Sequence, residues 1–243
     1  DMQARVPHGR GTPLQTQWED AMMAARARVL SQPGVDRLRQ WVAQPGQSDF
    51  AQQPTAQRAA ILYAAALASQ QLRDNAGAHA FWRQLDALVP ASDAAARRQS
   101  AWLGAELALA AGQPQQALDL VERHPAPQLR PAVLLHAQAQ LALQRPALAS
   151  ERLQTWVTTH PQDAQAWQWL AQAWQAQNQP LRALRAQAEA QVAIRDFSAA
   201  QDRLKAAQDL ARRGSNQDHI EASIIDTRLR AVTELLREEA RKQ

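Results

Sequence analysis

In Trp167-Gln168-Trp169-Leu170-Ala171-Gln172-Ala173-Trp174, the side chains Trp167, Leu170, Ala171 and Trp174 recur at i, i+3, i+4 and i+7, one face of an α-helix. Ala183 and Ala190 continue the pattern in the next segment, beyond Pro180, a residue that opens a helix but does not fit inside one. At a spacing of 34 residues upstream, Val133, His136, Ala137, Gln140, Ala149 and Trp156 occupy the same slots, and Pro161 closes that unit. A period of this length holds one helix, a turn and a second helix. One such pair cannot bury its own apolar stripe, so neighbours must stack, leaving an extended concave flank. The expected fold is all-α, a helical-hairpin solenoid or α/α superhelix of about 12 helices.

This order of large, small and large slots resembles the tetratricopeptide repeat over residues 56–212. The resemblance implies an array that holds other polypeptides. Two positions depart from its pattern, Gly104 and His136, which stand where the repeat carries Leu, and the second unit is shortened near Pro125. Composition agrees with the fold. The chain has 243 residues and is rich in Ala, which lets paired helices approach closely, and Val/Ile/Thr runs of period two are nearly absent.

The charge pattern argues against nucleic acid as a partner. A net charge of +4 is mild, and the 25 Arg are interleaved with Asp and Glu, as in Glu151-Arg152 and Arg237-Glu238-Glu239, rather than gathered on one face. No Cys is present, which removes disulfides and thiolate metal sites. No apolar run approaches the roughly 18 residues that a membrane span requires. The start, Asp1-Met2-Gln3-Ala4-Arg5, has no apolar signal core and no initiator Met at position 1, so the chain reads as a piece of something longer.

Punctuation residues set the boundaries. Residues 1–13, with His8, Gly9, Arg10, Gly11 and Pro13, read as a linker from an upstream domain. Residues 14–54 read as an N-terminal helical segment and loop. Trp18, Met22, Ala25 and Val29 form one stripe, Pro33-Gly34 a break, and Val35, Leu38, Trp41 and Val42 a second short helix. Residues 55–216 read as the array, with helix stops at Gly112, Pro125, Pro146, Pro161 and Pro180. Helix 181–194 is expected to serve as second helix of one pair and first of the next, and Gly214-Ser215-Asn216 to end the element after it. Residues 217–243 read as a capping helix with Ile225, Leu229, Val232 and Leu236 on one stripe. A partner-binding amphipathic helix is the sharper reading of the same segment.

Nothing in the sequence has the spacing of a catalytic centre. The six His at 8, 79, 124, 136, 160 and 219 include no H-E-x-x-H and no i, i+4 pair, so no metal site is expected and His136 reads as a packed core residue. A Gly-rich phosphate loop and a G-x-S-x-G elbow are also missing. Trp167, Trp174, Trp82 and Trp156 fall on packing slots. Positions one and five beyond the large packing residue of each first helix are expected to face the concave flank. They place Trp102, Glu106, Gln138, Gln168, Gln172, Arg185 and Glu189 on a binding face, with Trp169 beside the packing slots and Tyr63 and Gln175 nearby. A face rich in amides suits an extended backbone; the competing reading is a solvated polar surface. Repeats that clamp acidic chaperone tails use Lys and Asn there, whereas this chain has Lys only at 205 and 242.

A second resemblance concerns function. Asp1-Met2-Gln3-Ala4-Arg5, a Pro/Gly linker, Trp18 and then Met22-Met23-Ala24-Ala25-Arg26-Ala27-Arg28-Val29-Leu30 resemble the junction in bacterial periplasmic zinc metalloproteases of the H-E-x-x-H type. Pro180-Leu181-Arg182-Ala183, Arg195-Asp196-Phe197 and Leu204-Lys205-Ala206-Ala207 are similar to the end of their C-terminal repeat domain. The resemblance implies a non-catalytic C-terminal half of such a metallopeptidase, in the periplasm, working in chaperone-like outer-membrane protein quality control. Its partners would be protein or peptide clients, or its own protease domain. The zinc would lie upstream, with no cofactor in these residues. The alternative is a stand-alone scaffold for complex assembly.

Overall fold

A computed structural model describes residues 14–214 and 218–242 of the chain. The expected linker at 1–13, Ser215 and Asn216 at the expected end of the array, and Gln217 and Gln243 at the two ends of the expected capping helix lie outside the described residues. Helix starts follow from local chemistry. The carboxylates of Asp74, Asp93, Asp163 and Asp196 accept hydrogen bonds from the backbone N–H three residues on, at 2.9, 3.0, 3.2 and 3.0 Å, each satisfying one orphan donor of the first turn. Pro114, Pro146 and Pro180 open three other helices, where the missing N–H would have been unpaired anyway.

The turns that join paired helices repeat one geometry. Arg73, Gly112, Gln144, Asn178 and Arg195 all adopt positive φ, between 55° and 73°. In each turn that residue's N–H bonds the carbonyl three back, and the next N–H bonds the carbonyl five back, as in Asn178 to Gln175 and Gln179 to Trp174. This is a Schellman closure that reverses the chain within a few residues. Gln144 and Asn178 are one period apart. The same closure at Arg195 joins helix 180–193 to the next as it joins the pairs before it, matching the expected double duty of that helix.

The described residues form twelve α-helices and no strand. The chain divides into two compact units, residues up to His124 and residues from Pro125. The division falls where Pro125 and Pro127 follow the ten-residue helix that ends at Arg123. The first unit contains α1 (Leu14–Leu30), α2 (Val35–Ala43), α3 (Thr55–Gln71), α4 (Asn75–Leu88), α5 (Ala94–Ala110) and α6 (Pro114–Arg123). Residues 44–54, expected as loop, include two short 3-10 turns, Gln44–Gly46 and Phe50–Gln52. The second unit contains α7 (Arg130–Ala142), α8 (Pro146–Thr159), α9 (Ala164–Ala176), α10 (Pro180–Ala193), α11 (Phe197–Arg213) and α12 (His219–Lys242).

From α2 to α6, and from α7 to α12, each helix packs on the next, the arrangement of a helical repeat. The core of the second unit contains Val133, Leu153, Trp156, Trp167 and Leu170. Trp156 and Trp167 satisfy their indole N–H groups on the Asp163 carboxylate at 3.0 Å and the Pro161 carbonyl at 2.9 Å, as packing residues must. Burial opposes ionisation of Asp163, but hydrogen bonds from Arg130 and Trp156 outweigh it and hold its carboxyl below the ordinary range. The C-terminal stripe packs inward: Ile225 and Val232 are fully buried in one cluster with Leu204 and Ala207, while Leu229 and Leu236 are partly covered. No helix among the described residues is long and apolar enough to cross a membrane.

Candidate functional site

The structure divides the ten expected face residues into three groups. Tyr63, Trp102 and Glu106 belong to the first unit and are not open surface. Helix α1 packs on α3 and α5 together, burying Met22, Ala25 and Val29 completely. Tyr63 and Trp102 are only 2% and 5% exposed. Arg26 reaches from α1 to donate to the Glu106 carboxylate at 2.7 Å and to the Tyr63 hydroxyl at 3.2 Å. One α1 turn pair earlier, Gln99 donates to Glu19 at 2.9 Å. The two contacts ascend together, so α1 runs in the same direction as α5. Burial disfavours the Arg26 cation, but Tyr63 and Glu106 outweigh it and raise its pKa, whereas burial pushes the Tyr63 phenol up. The flank expected to receive a partner in this unit therefore already carries a helix of the same chain.

Removing that guanidinium tests the arrangement. Arg26→Ala leaves the half-buried Glu106 and the buried Tyr63 hydroxyl without their donor, at a cost of about 1–3 kcal/mol. Urea unfolding should show the loss, and trypsin should cut α1 faster. Unchanged values in both would reduce the contact to a surface pair of no consequence.

Arg185 and Glu189 form the second group, and they too are engaged. Nε and Nη2 of Arg185 donate to the Glu221 carboxylate, whose side chain is 4% exposed, and Arg228 forks onto Glu189 at 2.5 and 2.9 Å. Arg182 adds a contact with Asp218 at 3.3 Å and lies 5.0 Å over the Trp174 ring. These pairs also ascend together, so α12 lies alongside α10 in the same direction, as the next helix of a stack would. Their charges hold helix to helix rather than awaiting a ligand.

The third group stays accessible. Gln168, Gln172 and Gln175 are exposed at i, i+4 and i+7 on α9, and Gln138 is half-buried on the adjoining α7. Trp169 is partly buried against the core, giving this amide row an apolar neighbour. No cluster of three or more His, Asp or Glu side chains that could hold a metal occurs among the described residues. Sequence reasoning missed Arg26, Glu19, Glu221 and Arg228 as the partners that close two faces. The available signal was a charge set within an apolar stripe, as Arg26 sits between Met22 and Val29. No protein-family model matches this chain, and no curated protein matches it significantly.

Proposed function

We propose that this chain is a non-catalytic protein-binding repeat domain whose working face is the amide row on α7 and α9. The observation carrying the reading is that Gln168, Gln172 and Gln175 remain exposed in one line, while five other face residues are consumed by internal contacts. Primary amides both donate and accept, so a row of them matches the alternating N–H and C=O groups of an extended polypeptide. The second resemblance supports placing the domain as the C-terminal half of a periplasmic zinc-dependent metallopeptidase, presenting clients to an upstream catalytic domain. A stand-alone scaffold is the other reading. An H-E-x-x-H in the coding sequence upstream of Asp1 favours the first, and a start codon close to it the second.

The binding test uses fluorescence anisotropy with a labelled, urea-denatured β-barrel polypeptide diluted into buffer. Gln168→Ala with Gln172→Ala is expected to weaken binding about tenfold, two neutral hydrogen bonds each contributing about 0.5–1.5 kcal/mol. The melting temperature should be unchanged, because both side chains are exposed. Equal binding by the variant and the parent would move the site elsewhere, and no binding by either would remove the client-capture reading.

A further inference from the structure

A recess in the first unit, about 270 Å³, lies between the end of α1, helix α2, the two 3-10 turns and α3. Its lining combines features that the repeat packing does not require. Arg28 and Arg37 supply two cations, and neither has a carboxylate partner among the described residues. Trp41 and Phe50 supply aromatic walls, and Ile61 an apolar contact. Gln47 and Gln57 add amides that can donate or accept. The walls are held in place. Trp41 is buried beneath the Arg37 guanidinium, 5.2 Å from the ring, and Arg58 lies 5.3 Å over Phe50. One acid, Asp49, also lines the recess, and Gln53 donates to it at 3.5 Å.

We propose that this recess binds an aromatic carboxylate, either a single aromatic acid or the carboxyl-terminal aromatic residue of a polypeptide. The volume suits one ring-sized group with its carboxylate and is small against a typical ligand pocket. Two guanidiniums favour a carboxylate because the fork of N–H donors matches its paired oxygens. Trp41 and Phe50, each with one face already covered by a guanidinium, favour a ring through apolar and edge-to-face contact, and the glutamines can bond the adjoining amide. The inference stands apart from the amide row, which belongs to the other unit.

The test titrates the full chain with N-acetyl-phenylalanine, its carboxamide and N-acetyl-alanine, reading heat and the indole N–H signal of Trp41. N-acetyl-phenylalanine should bind and shift that signal, while the carboxamide and the alanine analogue bind at least about fivefold more weakly. Arg37→Gln, at an exposed position, should reproduce the loss with the native fold retained by circular dichroism. A hexapeptide ending in phenylalanine separates the sources. Tighter binding than the single residue assigns a chain terminus, and weaker binding a free acid, each supporting the site. Equal binding of acid and carboxamide, equal binding of the two acids, or no binding of N-acetyl-phenylalanine overturns the proposal. An undiminished Arg37→Gln with an undiminished Arg28→Gln does so as well.

Discussion

Gly104→Ala is expected to destabilise the first unit by about 2–3 kcal/mol, a loss usual for overpacking a filled interior. A Cβ at position 104 would stand 2.5 Å from Cε2 and 2.6 Å from Cζ2 of Trp82, inside any permitted contact. The ring has little freedom to retreat. Its indole N–H donates to the Ser100 carbonyl at 2.8 Å, on the same helix as Gly104, and Trp82 is only 9% exposed. Backing away would break that bond and leave a buried donor unpaired. Under the resemblance to the tetratricopeptide repeat this slot would carry Leu, so the glycine reads in sequence as a missing core residue. In the structure the Trp82 indole supplies the missing volume from α4. Differential scanning calorimetry should show the transition of this unit lowered by about 8–15 °C. Gly46→Ala, with open space around the new Cβ, serves as the control and should leave the curve unchanged. Equal behaviour of the two variants would show that Trp82 yields freely.

His136→Leu is expected to flatten the dependence of stability on acid. His136 is half-buried on α7, its Nδ1 is buried without a hydrogen-bond partner, and its Nε2 lies 3.4 Å from the Gln140 amide nitrogen. Burial pushes its pKa down to about 4, and the Arg152 charge pushes in the same direction. In the unfolded chain the imidazole titrates near its ordinary value of about 6.5. Between those two values the unfolded state binds a proton that the folded state refuses, so stability falls as pH drops from about 6.5 toward 4. By pH 5 the loss is on the order of 1–2 kcal/mol. His124 is also lowered, by burial and then by Arg97 and Arg123, and it contributes in the same direction to parent and variant alike. The difference between the two proteins in guanidinium unfolding at pH 7 and pH 5 therefore isolates His136. Leucine at this slot also matches the residue 34 positions on, Leu170, which is 1% exposed. A variant as acid-sensitive as the parent would mean that position 136 stays wet enough to accept its proton.

What could be read directly from the residues was everything governed by near neighbours. The apolar spacing of Trp167, Leu170, Ala171 and Trp174 gave helix α9, and the expected helix stops at Gly112, Pro125, Pro146, Pro161 and Pro180 all fall between observed helices or at the first residue of one. Such features depend on contacts one turn away, which the order of residues states outright. Which of the ten face residues would remain open was not legible. Tyr63, Trp102 and Glu106 have the spacing of a solvent face, yet with α1 packed on this flank, its Arg26 meeting Glu106 80 residues later, Tyr63 and Trp102 are buried and Glu106 is half-buried. Arg185 and Glu189 read likewise as surface charges until α12 returns Glu221 and Arg228 to them, 36 and 39 residues on. Periodicity tells which side of a helix is apolar, because that is set within the helix. Which neighbour then covers its polar side is a choice between distant segments, decided when charge finds charge across the fold. The Gln168–Gln172–Gln175 row stands out as a candidate face only after those distant pairings are known.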